Sequence, residues 1–425
     1  MKVAIVGSGI GGLSAAWALS QKHDVTLFEK SPYLGMDAHS LDIDFGEGQA
    51  RVDVPLRVFF DGFYPNLTAL YNELGIEFSP INYSASFGEL NGETYFHYHN
   101  YRLGTLSVPF LKGRRSLNRT AFRIGLDSLR FFHRLGLEID RGIDDELTLE
   151  DFLDARGYSR SFARRFLLPA FAGICTCSHE SIKKYPARTV LEYLNSGLLF
   201  SSVQRVTDGT QAVVGVLTDG VQSVRLNAPV YEVGVSDTGA WVRVEGDTME
   251  FDHVVLATQA NQAMKMLTDP SEIERDVLGA FRYEPSRVVV HRDSRLAPKG
   301  DARGWAPVNF LLEDESSTPM ATIWLNAIQK LPGVSPVFQS WNPIIEPERE
   351  SILGEATFER PVLDAASLKA RRTLGEIHDR PTRRVWFCGS YASDGIPLLE
   401  SAATSAFAVA ERFGCNRPWA GKSSR

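Results

Sequence analysis

Residues 7–12 read Gly-Ser-Gly-Ile-Gly-Gly, the spacing in this chain that most clearly indicates chemistry. In a G-x-G-x-x-G turn, the first glycine permits a tight turn, the second lets a pyrophosphate approach the backbone, and the third lets helix and strand pack closely. The phosphates then meet free N–H groups at a helix N-terminus. Glu29 lies 20 positions beyond Gly9, where a carboxylate can accept hydrogen bonds from ribose hydroxyls. The pattern therefore predicts a dinucleotide site.

The elements that must position these glycines form a β-α-β unit. Residues 2–6 are a short β-branched run, which predicts a buried strand. Residues 10–21 are rich in Ala and Leu and predict a helix, and residues 24–29 predict a second strand. Because every part of the unit is present, a merely structural turn is disfavoured, but the turn alone does not distinguish NAD from FAD.

A second glycine turn near the C-terminus could complete the site. Residues 385–397 predict a strand and a turn, and the small residues that follow Leu399 predict the start of a helix. Backbone N–H groups in such a turn could bind a pyrophosphate or flavin carbonyls. Taken alone, the segment is explained equally well as another β-α turn of a doubly wound sheet.

Composition and charge narrow the class of protein. The 425 residues are 44% hydrophobic and 23% charged, which is typical of a globular protein with a substantial core. The net charge of −7 gives no basic footprint for nucleic acid. The spacing of the four cysteines fits neither a zinc motif nor a disulfide framework, so we expect reduced thiols and no metal. No uncharged stretch approaches the roughly 20 residues that cross a bilayer, which predicts a cytoplasmic protein.

The two glycine turns, with Asp252-His-Val-Val-Leu-Ala-Thr, resemble the flavin amine oxidase and phytoene desaturase superfamily over nearly the whole chain. Tyr64-Pro-Asn-Leu-Thr-Ala-Leu, Trp324-Leu-Asn-Ala-Ile-Gln and Trp386-Phe-Cys-Gly look most like a group of bacterial predicted NAD/FAD-binding proteins. Members of that group often accompany cyclopropane-fatty-acid-synthase-like enzymes. The resemblance implies non-covalent FAD and lipid chemistry.

The resemblance also implies an α/β fold in which a Rossmann-type FAD-binding domain is interleaved with an α+β substrate domain. Local patterns agree, because residues 116–200 read mainly as helices and residues 224–257 as short strands. The expected boundaries are 1–80, 205–270 and 366–414 for the FAD-binding domain, 81–204 (with the helical insertion) and 271–365 for the substrate domain, and 415–425 for a flexible tail.

By the resemblance, the first turn and Glu29 hold the ADP half, Val230 presents backbone groups to adenine, and the C-terminal turn lies near the pyrophosphate and isoalloxazine. The predicted cofactor-binding residues are Gly7, Ser8, Gly9, Ile10, Gly11, Gly12, Glu29, Lys30, Gly35, Val230, Ala257, Gly389, Ser390, Gly395, Ile396 and Pro397. Some positions depart from the family pattern: Met36 follows Gly35 where a second glycine is usual, Ser390 replaces an acidic residue, and Ser401 and Ala406 replace glycines.

Few residues are candidates for catalysis, because a flavin supplies the difficult chemistry. Arg57 lies in a stretch that the family places close to the flavin, where a cation could stabilise the reduced ring or bind a substrate carboxylate. A surface salt bridge explains Arg57 equally well. Tyr64, Tyr391 and Trp324 are candidate aromatic walls of a substrate pocket, although aromatic residues fill cores more often than sites.

The segment 112–134 is basic and is interleaved with Leu, Phe and Ile. On an amphipathic helix, this arrangement predicts contact with anionic lipid, as a peripheral membrane protein, or with an acidic carrier protein. A solvated helix face is the alternative. The basic residues are Lys112, Arg114, Arg115, Arg119, Arg123, Arg130 and Arg134.

The leading functional hypothesis is an FAD-dependent oxidoreductase that removes hydride from an organic substrate, with an apolar or lipid-like substrate slightly favoured. A flavin amine oxidase acting on a small amine or amino acid is the first alternative. A redox-neutral flavin isomerase and a non-catalytic flavin-binding protein are further alternatives. The C-terminal turn disfavours a dehydrogenase that uses NAD alone.

Overall fold

The computed structural model describes residues 1–90, 93–103, 106–113, 116–198, 200–300, 302–314 and 318–420. The strands in these ranges are β1 (Lys2–Val6), β2 (Asp24–Phe28), β3 (Leu41–Asp44), β4 (Gln49–Val52), β5 (Phe78–Pro80), β6 (Ala85–Glu89), β7 (Thr94–Leu103), β8 (Leu106–Leu111), β9 (Gln204–Val206), β10 (Ser223–Arg225), β11 (Val230–Val235), β12 (Ala240–Val244), β13 (Asp247–Phe251), β14 (His253–Leu256), β15 (Arg282–His291), β16 (Val308–Leu312), β17 (Met320–Trp324), β18 (Phe338–Trp341), β19 (Ile352–Val362) and β20 (Val385–Phe387).

The helices of the described ranges are α1 (Ile10–Ser20), α2 (Pro65–Glu73), α3 (Arg119–Asp140), α4 (Leu149–Ala155), α5 (Arg160–Phe162), α6 (Leu168–Cys175), α7 (His179–Lys183), α8 (Ala187–Asn195), α9 (Gly209–Thr218), α10 (Ala260–Met266), α11 (Glu272–Gly279), α12 (Ala365–His378) and α13 (Leu399–Arg412). A π-helical turn, Ala163–Leu167, joins α5 to α6. Among the described residues, none of these helices is long and apolar enough to cross a membrane.

A five-stranded parallel sheet contains the predicted β-α-β unit. Its strand order is β10-β2-β1-β14-β20, and β1 lies at its centre between β2 and β14. Helix α1 is buried along almost its whole length because it packs against both α9 and α13. Its small residues make this close packing feasible, and the N-terminal Rossmann-type unit predicted from the sequence is confirmed.

A second, eight-stranded sheet takes its strands from two separated parts of the chain. Its order is β19-β15-β18-β17-β16-β6-β7-β8, with β6 and β16 parallel and the other neighbours antiparallel. Helices α3 to α8 lie between β8 and β9 in sequence, as the predicted helical insertion requires. The parallel sheet likewise draws β20 from far along the chain, so the interleaved α/β architecture is confirmed.

The prediction of a flexible tail at 415–425 is wrong for its first residues. Cys415 is buried, and the ring of Trp419 stacks on Trp17 with 6.2 Å between centroids. The Arg417 guanidinium also donates to the side-chain oxygen of Asn66 at 2.8 Å. Aromatic burial and this hydrogen bond hold residues 415–420 against α1 and α2, and residues 421–425 lie outside the described ranges.

Candidate functional site

The first glycine turn has a tightly packed side and an open side. Gly7 has a φ of +97°, and a Cβ added to Gly12 would lie 1.9 Å from the Gly7 carbonyl oxygen. A Cβ added to Gly9, in contrast, would have no other atom within 4 Å. Gly12 therefore allows α1 to pack against the turn, and Gly9 leaves space beside a helix N-terminus that has no side-chain cap.

Glu29 holds the backbone around this turn through several hydrogen bonds. Its carboxylate accepts from the backbone N–H of Ser8 at 3.1 Å, from the Ser8 hydroxyl, and from the backbone N–H of Ser31 at 2.9 Å. The Ser8 hydroxyl oxygen in turn accepts from the Gly35 N–H at 2.7 Å. Gly35 thus supports the turn directly, and its own N–H already has a partner. Lys30 is exposed beside this network.

The second glycine turn lies against the first. A Cβ added to Gly11 would be 3.5 Å from the Cα of Gly389 and 3.4 Å from the carbonyl oxygen of Ala402. The two predicted turns therefore meet, although more than 370 residues separate them in sequence. The Gly389 N–H donates to the Ser405 hydroxyl at 2.9 Å, so this particular N–H already has a partner.

Arg371 of α12 organises the rest of the C-terminal turn. Its guanidinium is buried and donates to the carbonyl oxygens of Tyr391 and Gly395, each at 2.9 Å. Burial lowers the pKa of Arg371 to about 10, and Asp394 opposes that shift. Gly395 has a φ of +85°, a conformation that favours glycine, and Ile396 is fully buried behind it.

A cavity of about 360 Å³ extends from both glycine turns into the substrate domain. Its cofactor end includes Gly9, Gly11, Ala257, Gly389 and Pro397. The volume lies in the range of small-molecule and cofactor sites. Apolar and aromatic side chains form much of the far end, among them Phe60, Tyr64, Tyr83, Tyr193, Ile323 and Trp341.

Two arginines line the same cavity. The Arg57 guanidinium donates to the Pro55 carbonyl oxygen at 3.2 Å, and the Arg360 guanidinium lies over the Trp341 ring at 5.2 Å from its centroid. Neither forms an ion pair with another described residue, and the Nε of Arg360 has no hydrogen-bond partner among them. Burial lowers the pKa of Arg57, while the nearby Asp53 opposes the shift. Burial lowers the pKa of Arg360 to about 10. Arginine side chains are not deprotonated in proteins near neutral pH, so the cavity contains two positive charges.

Of the three aromatic residues predicted to line a substrate pocket, two border the cavity and one does not. Tyr64 lines the cavity, and burial raises the pKa of its hydroxyl far above the usual value, so it stays protonated. Tyr391 also borders the cavity, but its ring packs against Phe281 in the core. The prediction for Trp324 is wrong, because side chains alternate along β17: Ile323 lines the cavity, while Trp324 packs edge-on against Trp305.

The predicted adenine contact, Val230, lies apart from this cavity. Val230 begins β11 and pairs with Val244, and it is not among the residues that line the cavity. The chain nevertheless passes close to the dinucleotide turn just before it, because the Ala228 N–H donates to the Glu29 carbonyl oxygen at 2.9 Å. Val230 follows this contact by two residues, and its own contact with adenine stays a prediction.

Sequence reasoning missed residues that shape the site. Arg360 gave no signal, since it belongs to a charged segment that contains Pro361 and looks like a loop. Glu400 of α13 accepts from the backbone N–H groups of Asn66 and Leu67, at 3.0 and 2.9 Å, and so caps α2. This carboxylate ties Tyr64, the residue before α2, to the helix that follows the second glycine turn.

Known proteins share the fold described above. Residues 5–74 match the family model of the NAD(P)-binding Rossmann-like domain. A search of the curated proteins found no match. The CLA-producing fatty acid isomerase from P. acnes is similar in structure, with a TM-score of 0.69 and 14% identity over 97% of this chain and 98% of that one. The chain has the flavin amine oxidase fold.

Two amine oxidases are also similar to this chain in structure. Wild-type putrescine oxidase bound to putrescine has a TM-score of 0.67 and 16% identity, covering 98% of this chain and 100% of that one. Cyclohexylamine oxidase from Brevibacterium oxydans IH-35A has a TM-score of 0.64 and 15% identity, covering 97% and 99%. At these identities the likeness shows the fold, and the site must be interpreted from its own residues.

Proposed function

We propose that this protein is an oxidoreductase that binds FAD non-covalently and removes hydride from an apolar, lipid-like substrate with an acidic group. The observation that carries the proposal is the meeting of two remote glycine turns at one end of a cavity whose other end is apolar and positively charged. A dehydrogenase that uses NAD alone would not require the second turn, so FAD is the favoured cofactor.

The residues present fit FAD. The N-terminus of α1, with the open space at Gly9, would hold the pyrophosphate, and Glu29 would accept from ribose hydroxyls. FAD, when bound, supplies the acceptor for a hydride. Cys388 precedes the second turn, and burial raises the pKa of its thiol to about 12, which disfavours covalent attachment through a thiolate.

The charges of the cavity distinguish the two main substrate classes. Arg57 and Arg360 place two cations in a partly buried, aromatic-walled space, where charges are poorly screened. A protonated amine would be repelled there, whereas a carboxylate would gain charge-assisted hydrogen bonds. The remaining apolar walls suit the hydrocarbon part of an acidic lipid.

Two alternatives are supported by the names of structural neighbours. Putrescine oxidase and cyclohexylamine oxidase favour amine oxidation, and the fatty acid isomerase favours a redox-neutral reaction on a lipid. The two unpaired guanidinium groups weigh against the amine and are compatible with either reaction of a fatty acid.

The test compares compounds that share one alkyl chain but differ in the head group. The purified protein, loaded with FAD, is mixed without oxygen with a long-chain carboxylic acid, its primary amide and its primary amine. We expect the acid alone to bleach the flavin absorbance and to yield an oxidised product. Bleaching by the amine alone would contradict the proposed substrate but leave the cofactor assignment intact.

Two further outcomes separate the remaining alternatives. A rearranged acid, with no net flavin reduction, would identify an isomerase. A colourless protein that cannot take up FAD would refute the cofactor assignment itself.

A further inference from the structure

Helix α3 has one face in the core and one face in solvent. Asn118 caps its N-terminus by accepting from the Ala121 N–H at 2.8 Å. Ile124, Phe131 and Leu135 are buried on the inner face. The outer face carries large apolar side chains that remain exposed, including Phe122 at 66% and Leu129 at 73% of their full area. Burying apolar side chains of this size against a partner would be favourable, so the outer face is a candidate interaction surface.

The exposed apolar residues form one surface. We call Leu111, Leu117, Phe122, Leu126 and Leu129 the apolar patch. All of these except Leu129 line a single groove of about 1110 Å³ together with Arg119 and Arg123. Isolated exposed apolar residues are normal on soluble proteins, but a contiguous set of this kind marks an interaction site.

The charges beside the apolar patch are positive. At about 3.6 residues per turn, Arg119, Arg123, Arg130 and Arg134 fall on one strip of α3 that adjoins the strip of Phe122, Leu126 and Leu129. Arg119, Arg123 and Arg134 are exposed and form no ion pair with the described residues. The neighbouring Asp127 is engaged, since it accepts from the Ser159 N–H at 2.9 Å and lies 3.6 Å from Arg130.

We propose that the outer face of α3 docks this protein on the surface of a bilayer that contains anionic lipid. The apolar patch would enter the boundary between head groups and acyl chains, and the arginine strip would contact lipid phosphates. The helix, about 33 Å long at 1.5 Å per residue, is long enough to lie flat in that interface. The positive charge of the strip complements anionic head groups, and Arg119, Arg123 and Arg134 have no acidic partner among the described residues, which favours anionic lipid as the occupant. Arg114 and Arg115 lie outside the described residues.

The test is flotation of the FAD-loaded protein with vesicles. We expect the protein to float with vesicles of equal parts phosphatidylcholine and phosphatidylglycerol, and to remain below with phosphatidylcholine alone. Replacing Leu126 and Leu129 by Glu, or Arg119 and Arg123 by Gln, is expected to reduce the vesicle-bound fraction by about tenfold or more. High salt should weaken binding of the unmodified protein, because anionic lipid attracts the arginines through a screened interaction.

A matched control is Val334→Glu, which changes an apolar side chain that is 99% exposed elsewhere on the surface. It should float like the unmodified protein. The flavin and circular-dichroism spectra of all variants show whether each is folded. Failure to bind anionic vesicles, or equal flotation of the patch variants, would overturn the inference. A dimer that Leu126→Glu dissociates, or capture of an acidic protein by the arginines without vesicle binding, would assign the surface to a protein partner instead.

Discussion

The side-chain oxygen of Gln339 accepts a hydrogen bond from the backbone N–H of Leu56 at 2.8 Å. The Nε2 of the same fully buried side chain donates to the carbonyl oxygen of Asp53 at 3.1 Å. One residue of β18 in the eight-stranded sheet therefore holds the backbone on both sides of Pro55, immediately before Arg57. This connection holds the backbone that precedes Arg57, whose side chain lines the cavity.

Gln339→Leu should remove both hydrogen bonds at once. We expect a loss of about 1–3 kcal/mol in the free energy of unfolding, because the Leu56 N–H and the Asp53 carbonyl are left without partners. The affinity for an acidic ligand should fall as well, since Arg57 loses its support. Urea unfolding and ligand titration of the flavin spectrum measure the two effects.

Gln329→Leu is a suitable control for that change. Gln329 donates to the Arg51 carbonyl oxygen at 3.1 Å and does not flank Pro55. It should lower stability modestly and leave ligand affinity unchanged. Equal ligand affinity in both variants would show that Gln339 is only structural.

Gly9→Ala should weaken FAD binding, whereas Gly12→Ala should destabilise the apoprotein. A methyl group at Gly9 meets no protein atom, and its φ of −63° suits alanine, so the apoprotein should fold normally. The same methyl group would occupy the space proposed for the pyrophosphate, and FAD affinity should fall by about tenfold or more. Gly12→Ala places the methyl group against the Gly7 carbonyl oxygen, so the apoprotein itself should be destabilised.

Thermal unfolding of apoprotein and FAD titration distinguish these outcomes. If Gly9→Ala takes up FAD as tightly as the unmodified protein, the phosphates do not lie at this turn.

Arg360→Met and Arg57→Met should each weaken binding of an acidic ligand to the FAD-loaded protein. A charge-assisted hydrogen bond contributes about 1.5–3 kcal/mol, which corresponds to roughly tenfold to a hundredfold in affinity. Binding of the neutral amide with the same chain should change little. The dissociation constants come from perturbation of the flavin absorbance.

Arg349→Met serves as the control, because Arg349 is exposed and lies outside the cavity lining. If both cavity variants bound the acid and the amide as the unmodified protein does, the guanidinium groups would not be a carboxylate site.

Acidification should destabilise the fold through His378. This imidazole is buried and its Nε2 accepts from the Phe387 N–H at 3.1 Å, and burial lowers its pKa from 6.5 to about 3. Between these values the unfolded chain binds a proton that the folded protein does not. The contribution of His378 to the free energy of unfolding is therefore fully present above pH 6.5. It declines as the pH falls from 6.5 toward about 3, by up to about 1.4 kcal/mol per pH unit.

His378→Gln, which keeps an acceptor, should flatten the dependence of unfolding free energy on pH below about 6.5. His133→Gln, at an exposed position, should leave the dependence unchanged. Urea unfolding at a series of pH values tests the pair, and an unaltered slope in His378→Gln would contradict the assignment.

Local patterns were sufficient to predict the β-α-β unit. Its strands are short β-branched runs and its glycines have distinct roles, so neighbours in sequence determine the structure. The expected helix after Leu399 is also present, and short strands lie within residues 224–257 as predicted. The strand β19 was not predicted, because Gly354, Pro361 and several charges interrupt its pattern. An edge strand tolerates these residues, since only β15 pairs with it.

The site was harder to predict than the fold. Arg57 was chosen by resemblance, but its companion Arg360 follows it by about three hundred residues, and the two share a cavity only in the folded protein. The orientation of Trp324 depended on which face of β17 borders the cavity, and strand alternation alone does not give that face. Contacts between segments that are far apart in sequence therefore determine which residues line the pocket.

The parallel sheet joins β1, from the start of the chain, to β20, from near its end. This order of synthesis constrains when the protein can acquire its cofactor. When α12 has just emerged from the ribosome, the first glycine turn is already outside, but β20 and α13, which lie beside it in the folded protein, are not yet free to pack. Until residues 385–412 emerge, α1 exposes the side that it later buries against α13. Cofactor loading is therefore expected to follow synthesis of the whole chain, and until then the uncovered face of α1 is apolar surface of the kind that promotes aggregation.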